Sequence, residues 1–392
     1  MALSTLKRFL KNGLILGIVL LVAPFFCLAI WLNKHLRGAE KLQNILVIDN
    51  AKIGDLICAT PVFRVIKERY PMVNLTVLVI PRVEGILRGN KNIDRIIISS
   101  LNVNYGIGDA WRLAKTIKNG QFNVCLNLVP GTLNYILPFF CLIPKRITSS
   151  SRHHSLFFRC LSLLYTDRIN WPDNTLSLKH YLELLKPIGI QSENIKKEVV
   201  VSDQAKAKAE DFLRQKGFSN QDVLVGFSLT AGNKIKEWNV ENFARLAEMI
   251  ADRYGYKIIA IGALADRKVL DEFNHLTENR FVTTSDFLLD ELAGLISRFD
   301  YFISVDSGPL YIANALGVPV LNIIGPYNYL EQAPYYEVCE IVKADGVSCW
   351  PCLHMYSTIT ACPLGHRACL TETTPGLAFD FFEKLIARYG KK

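Results

Sequence analysis

The 392-residue chain is half hydrophobic by composition and carries a formal charge of +9. That length exceeds what one core usually fills and suits two domains, and that apolar content excludes a disordered chain. Ten cysteines in so long a chain exclude a small disulfide-stapled scaffold, and the positive charge fits anionic partners such as phosphates or a membrane surface. Cys27, Cys58, Cys125, Cys141, Cys160 and Cys339 each stand singly among apolar neighbours and read as small buried hydrophobes.

The first element is the uncharged run Gly13 to Leu32, GLILGIVLLVAPFFCLAIWL. About twenty apolar residues is the length that crosses a bilayer as helix. A cleaved signal peptide would have a shorter apolar stretch and a small-residue cleavage pattern, so a retained membrane segment over residues 1–44 is the favoured reading. Lys7, Arg8 and Lys11 precede the run and Lys34, Arg37 and Lys41 follow it, so flanking charge sets no orientation. Pro24 leaves open a bent segment with both flanks on one side, and Trp31 suits an interface anchor.

From residue 45 strands and helices alternate. Short, continuously apolar runs at Ile45–Ile48, Thr76–Ile80, Arg95–Ile98 and Val124–Val129 read as strands covered on both faces. Helical stretches at Val62–Tyr70, Ala110–Lys118 and Asn174–Leu185 accompany them. A polar, lysine-rich stretch from Gln191 to Lys208 marks a boundary near Ile190–Ser202. A second series follows, with strands at Val223–Phe227, Lys257–Ile261, Tyr301–Val305 and Val318–Ile324. Its helices fall at Val240–Arg253, Arg267–Leu276, Leu288–Arg298 and Pro309–Leu316, and an amphipathic helix closes the chain after Gly376. The alternation means parallel sheets with helices on both faces, in domains spanning residues 45–195 and 196–392.

Two stretches carry candidate chemistry. In AKIGDLICATP, Ala51 to Pro61, the first strand gives way to a loop at the sheet edge where open α/β sheets bind ligands. Pro61 disfavours helix at the residue before it, so Thr60 is expected to begin the helix and Asn50–Ala59 to form one wall of a cleft. Asp55 can take a proton from an attacking hydroxyl, or it can simply cap a helical turn. Gly54 allows a close approach, and Lys52 lies beside it. In VDSGPLYIANALGVPVLNIIGP, Val305 to Pro326, Asp306 ends a strand and Ser307 and Gly308 lead into a helix whose first amides favour a phosphate. A helix capped by Asp or Ser is the plainer reading. Lys234 and Lys236, in the loop Leu229 to Trp238, leave the same sheet edge. Neither G-x-G-x-x-G nor G-x-x-x-x-G-K-[ST] is present in these stretches.

These stretches resemble the glycosyltransferase family that contains the lipopolysaccharide heptosyltransferases, family 9. ILVIDNAKIGDLICATPVFRVIKERYP is similar to that family's opening, with Gly-Asp after the first strand and a Thr-Pro pair. SVDSGPLYIANALGVPVLNIIGP is similar to its second hallmark, Asp-Ser-Gly-Pro followed by Ala-x-x-Gly-x-Pro. Lys236 and Trp238 resemble its Lys-x-Trp loop, and Gly262 to Lys268 its Gly-x-x-x-Asp loop. The resemblance runs from residue 45 to about 390. It implies two facing Rossmann-like domains of GT-B type, with the acceptor at the first and a nucleotide-sugar donor at the second. It implies inverting transfer without a required cofactor or catalytic metal, from a donor such as ADP-heptose. The acceptor implied is lipopolysaccharide core or another lipid-linked envelope glycan, and because nucleotide sugars are made in the cytoplasm the catalytic domains are expected at the cytoplasmic face of the inner membrane. By the same resemblance Asp55 falls on the general base, Lys236 on the donor-diphosphate lysine and Asp306 on the residue holding the transferred sugar. Ser307 and Gly308 fall on the backbone donors to phosphate, and Thr230 on a weaker donor contact. Tyr311 stands where many members have histidine, and the spacing before Lys236 is unusual. Both departures bear on the donor sugar more than on the reaction. A nucleotide-sugar epimerase or hydrolase of the same two-domain fold, and a non-catalytic envelope scaffold, are the alternatives.

Two further clusters stand apart. Cys349, Cys352, Cys362 and Cys369 have the ligand count of a structural zinc site but not a common spacing; disulfides or reduced thiols are the alternatives. Lys145, Arg146, Arg152, His153, His154, Phe157, Phe158 and Arg159 form a basic, partly aromatic stretch. It reads either as a solvated loop or as a landing site for an anionic lipid-linked acceptor or membrane. No nucleic-acid-binding motif accompanies the charge.

Overall fold

The computed structural model describes residues 2–37, 42–99, 106–332, 334, 338–355 and 359–390. Lys41, read above as a flank of the apolar run, lies outside the described residues. The chain divides into two compact units. The first holds Met1–Ala51, Ala59–Glu84 and Lys91–Ile195. The second holds Lys196–Lys392 together with Lys52–Cys58 and Gly85–Asn90.

The first unit begins with a long helix, α1 (Ala2–Arg37), which continues through Pro24. Its sheet comprises β1 (Asn44–Ile48), β2 (Asn74–Val79), β3 (Arg95–Ile98), β4 (Val124–Asn127), β5 (Lys145–Ser150) and β6 (Asp167–Asn170). The strands pair in parallel in the order β3-β2-β1-β4-β5-β6, the doubly wound arrangement. Helices α2 (Ile53–Arg69), α3 (Ile107–Asn119), α4 (Thr132–Phe140), α5 (Leu156–Leu161) and α6 (Ser177–Glu183) run between and after the strands. Leu46, Ile48, Cys125 and Leu78 form one side of the core against Leu113, Ile117 and Leu137 from α3 and α4.

The second unit repeats the plan. Its strands are β7 (Leu224–Ser228), β8 (Lys257–Ile261), β9 (Val282–Thr284), β10 (Tyr301–Val305), β11 (Val320–Ile323) and β12 (Cys339–Val342). All pair in parallel in the order β12-β11-β10-β7-β8-β9. Its helices are α7 (Asp203–Gln215), α8 (Val240–Tyr254), α9 (Arg267–Leu276), α10 (Leu289–Ile296), α11 (Gly308–Ala315), α12 (Ala368–Thr371) and α13 (Pro375–Tyr389). Phe243, Ala247 and Ile250 of α8 and Phe382 and Leu385 of α13 close over Val225, Phe227, Ile303 and Leu321.

Four departures from the sequence reading have physical reasons. The expected loop Asn50–Ala59 is instead the start of α2, and Pro61 lies inside that helix. Proline removes one helical hydrogen bond, but Leu56, Ile57, Cys58, Ala59, Val62 and Phe63 are all fully buried, and their burial outweighs the loss. The basic stretch from Lys145 is not a loop. It opens with β5, where Ile147, Thr148 and Ser149 are buried. Arg146 is buried too, its Nε donating to the Leu164 carbonyl at 2.8 Å, and Lys145 pairs with Asp167 at 3.1 Å. The buried Arg146 cannot meet a surface, whereas Lys145 keeps part of its side chain exposed. The polar stretch after Ile195 contains α7, whose buried stripe is Ala205, Ala209 and Leu213. So small a stripe suffices because α10 packs close: a Cβ on Gly294 would meet the Ala205 carbonyl oxygen at 2.3 Å. Cys27 is exposed, while the other five lone cysteines are buried or half-buried.

Candidate active site

The two strand ends that carry the expected donor residues are adjacent. β7 and β10 pair in parallel, with Ser304 beside Ser228. They flank the point where strand order reverses, which in open α/β sheets is where ligands bind. From β7 the chain passes Thr230, half-buried two residues past the strand, to a short turn holding Lys234–Lys236. Trp238 fixes that turn. It is buried, packs edge-on to Phe243 with centroids 5.0 Å apart, and donates from its indole to the Thr373 carbonyl at 2.9 Å. The Lys-x-Trp spacing thus pins the loop two residues beyond its lysine. Lys234 turns away and pairs with Glu237 at 2.9 Å.

Lys236 is paired with Asp306, whose side chain is nearly fully buried. The other Asp306 oxygen accepts from the Tyr311 hydroxyl at 2.8 Å. The Lys236 ammonium also lies 5.2 Å from the centroid of Tyr327, whose hydroxyl accepts from the Asn322 amide at 2.6 Å. Burial first, and then the neighbouring Asp306 carboxylate, push both tyrosines well above the usual phenol range, so both hydroxyls stay protonated. Ser307 is the N-cap of α11 by position, yet its side chain makes no cap hydrogen bond. Its hydroxyl meets that of Ser304 at 2.9 Å, and Ser304 donates in turn to the Ser228 carbonyl at 3.0 Å. The first amides of α11 are therefore not capped by the Ser307 hydroxyl.

Asp55 belongs to this same unit, in the first turn of α2. One carboxylate oxygen accepts from the Lys52 amide at 3.3 Å, so the capping reading holds in part. The other accepts from the Gln332 side-chain amide. Desolvation raises the Asp55 pKa above the ordinary carboxylate value. The Gln332 hydrogen bond and the Lys236 charge oppose that rise, and the Asp306 carboxylate reinforces it. A carboxylate so placed is a better proton acceptor than an exposed one.

Gly54 lets a tyrosine ring come close: a Cβ there would meet Tyr311 Cδ2 at 2.8 Å. Gly308 is its counterpart, where a Cβ would meet Ile53 at 2.9 Å. The two glycines let the Lys52–Asp55 turn close on the start of α11. Lys52 is exposed, its ammonium near Gly232.

Sequence reading missed Gln332 and what holds it. Its neighbour Glu331 is buried and accepts from Asn328 at 3.0 Å and from the Met355 amide at 2.8 Å, with His354 Nδ1 at 2.9 Å. No local signal marks a glutamine that meets a carboxylate 277 positions away. Replacing Gln332 by alanine removes an interaction that favours ionised Asp55 and so raises its pKa further. The acid limb of the kcat/KM profile is expected to move to higher pH, and an unmoved limb would show that Gln332 does not act on the base.

The four late cysteines lie near one another: after burial, Cys352, Cys349 and Cys362 all help to raise Cys369. Among the described residues no group of three or more His, Cys, Asp or Glu is arranged to hold a metal, and Cys349, Cys352, Cys362 and Cys369 are unbridged. Cys362 is lowered chiefly by the Arg367 backbone amide, with further amides of its own turn helping. Cys369 lies in α12 and packs on the core, and burial pushes it up to about 11. His354 is engaged by Glu331, and His366 Nδ1 accepts from the Ala368 amide at 2.9 Å. A cavity of about 740 Å³ lined by Glu210, Arg214, Asp222, Arg298 and Asp300 lies at the opposite strand ends, away from Lys236 and Asp306.

Residues 110–362 match the family model of glycosyltransferase family 9 (heptosyltransferase). The chain belongs to that family. It is a glycosyltransferase, and the epimerase, hydrolase and scaffold alternatives fall away. The lipopolysaccharide core heptosyltransferase OpsX of Haemophilus influenzae is 26% identical over 312 residues, which cover 78% of this chain and 85% of that protein. The lipopolysaccharide heptosyltransferase 3 of Escherichia coli K12 is 25% identical, over 72% of this chain and 83% of its own. Among solved structures, the glycosyl transferase family 9 protein of Veillonella parvula superposes with a TM-score of 0.74 at 22% identity, covering 89% of this chain and 99% of its own. The ADP-heptose lps heptosyltransferase II of E. coli gives 0.70 at 18% identity, covering 88% and 99%. These two likenesses carry the GT-B type fold.

Proposed function

We propose that this glycosyltransferase moves heptose from a nucleoside-diphosphate donor of the ADP-heptose kind onto lipopolysaccharide core or another lipid-linked envelope glycan. The observation that carries the reading is the Lys236–Asp306 pair at the start of α11, with Asp55 close enough for both charges to act on it. In this reading residues 196–392 hold the donor and residues 45–195 the acceptor. Lys236 and the α11 amides, with Ser307 and Gly308 at the entry and Thr230 beside them, receive the diphosphate. Asp306 holds the transferred sugar. Asp55 takes the proton of the acceptor hydroxyl as that oxygen bonds to the anomeric carbon, and the bond to the diphosphate breaks on the opposite face. Configuration inverts, and the leaving charge is met by a lysine and fixed dipoles rather than by a metal ion. The names of the relatives support the sugar: two are lipopolysaccharide heptosyltransferases, and an E. coli heptosyltransferase structure is described with ADP.

Nucleotide sugars are made in the cytoplasm, so the enzyme is assigned to the cytoplasmic face of the inner membrane. The apolar Leu10–Leu32 stretch of α1 supports attachment there. The test is transfer from ADP-heptose to a heptose-free lipopolysaccharide acceptor, read by mass spectrometry. Product is expected with and without EDTA, and ADP is expected to raise the melting temperature. A requirement for added Mg²⁺ or Mn²⁺ after chelation would refute the metal-free route. Failure of ADP to bind, with another nucleotide binding instead, would move the donor assignment.

A further inference from the structure

The Leu10–Leu32 stretch has two apolar faces with different fates. Ile15, Leu16, Val19, Ala23, Phe26 and Ile30 recur at helical spacing and pack on a core made of Tyr135, Phe139, Leu161, Leu164 and Tyr165. Phe26 stands edge-on to Phe140, centroids 4.6 Å apart. The packed stripe from Ile15 to Ile30 runs about 22 Å along the helix axis, at 1.5 Å per residue. The other stripe is Leu10, Leu14, Ile18, Leu21, Phe25, Leu28 and Leu32, between 44% and 75% exposed. The turn that supplies Leu161 and Leu164 to the packed side also exposes Leu156 and Leu163. Arg159 lies exposed in the same segment, and Lys11 near the start of the helix.

A helix crossing a bilayer needs apolar surroundings through about 30 Å of hydrocarbon. Here most of that length is already occupied on one side by α4, α5 and the turn after it. These belong to a water-soluble sheet domain with the charged Arg146 and Arg159 close by. Carrying them to hydrocarbon depth is prohibitive. A helix that is apolar all round yet covered on one stripe calls for a second apolar medium on the other.

We infer that α1 does not cross the bilayer: it lies flat as part of the first unit, and its Leu10–Leu32 outer stripe, with Leu156 and Leu163, seats in one leaflet of an anionic phospholipid membrane. The exposed cations beside the stripe suit the headgroups. The arrangement rests on the membrane attachment proposed above. It places both ends of α1 and the sheet domain on one side.

The full-length enzyme is tested on sealed vesicles of phosphatidylethanolamine and phosphatidylglycerol, and in inverted membrane vesicles with an N-terminal epitope. Protease added on the side of the catalytic domains is expected to remove the epitope. The double substitution Leu21→Asp with Phe25→Asp is expected to lower vesicle binding by about a hundredfold or more with an unchanged melting temperature. Phe26→Asp, on the packed stripe, is expected to lower the melting temperature instead. An epitope protected on that side would mean a spanning helix, overturning this inference while leaving attachment intact. Absence of wild-type vesicle binding would remove the attachment itself. A lipid-free dimer abolished by the outer-stripe substitutions would assign the stripe to a second copy and overturn the inference.

Discussion

Asp55→Asn is expected to lower the rate of sugar transfer by about a hundredfold or more, the usual scale for a positioned general base. The substitution keeps the shape of the site. Asparagine can still accept the Lys52 amide through its oxygen, and the Gln332 amide can turn to present its carbonyl to the new NH₂ group. Folding is therefore expected to survive, and stability follows a stated sign. The folded protein raises the Asp55 pKa, chiefly by desolvation, so ionised Asp55 opposes folding at neutral pH. The contribution of Asp55 is most favourable below its unfolded pKa and is lost as pH rises through its folded pKa. Asp55→Asn should then melt at the same or a higher temperature than the parent at pH 7, with the difference closing at low pH. A mutant that transfers at a near-normal rate would leave Asp55 as a helix cap only. A mutant that is slow because it melts early would leave the role of the base undecided in favour of structure, which Gln332→Ala, read by its pH profile, would then separate.

Lys236→Ala carries the second large effect. It removes the cation proposed to meet the donor diphosphate, and a hydrogen bond to a charged group is worth about 1.5–3 kcal/mol. Binding of donor and of nucleoside diphosphate is expected to weaken by about ten- to a hundredfold, read by calorimetry. Rate should fall further than binding, because the leaving diphosphate gains charge in the transition state. The same substitution strips a buried carboxylate of its partner. Among the described residues Asp306 then keeps the Tyr311 hydroxyl alone, so stability falls as well. The double variant Lys236→Met with Asp306→Asn restores charge balance and separates the effects: it is expected to recover stability without recovering diphosphate affinity. Unchanged diphosphate binding in Lys236→Ala would remove the lysine from the donor site.

How far the fold was legible follows from where its energy lies. Strands buried on both faces are continuous apolar runs, so Lys257–Ile261 and Tyr301–Val305 were read with their observed bounds. β5 escaped because its buried residues include Thr148 and Ser149, which the sheet accepts through hydrogen bonds such as Asn127 Nδ2 to Thr148 Oγ1 at 3.2 Å. α7 escaped because an alanine stripe looks polar until a partner helix comes close enough to use it.

The sequence by itself determined the alternation, and so the parallel sheets, and it put Lys236, Asp306 and Asp55 at the ends of strands or just beyond them. Those are local matters of period, propensity and turn chemistry, which a chain cannot hide. Tertiary structure alone decided who meets whom. It paired Lys236 rather than Lys234 with Asp306, brought Gln332 to Asp55 and seated Tyr311 against Gly54. It also divided α1 into a packed stripe and an exposed one. Such contacts join residues far apart in the chain, and their energy depends on burial and close approach, which no local pattern of residues encodes.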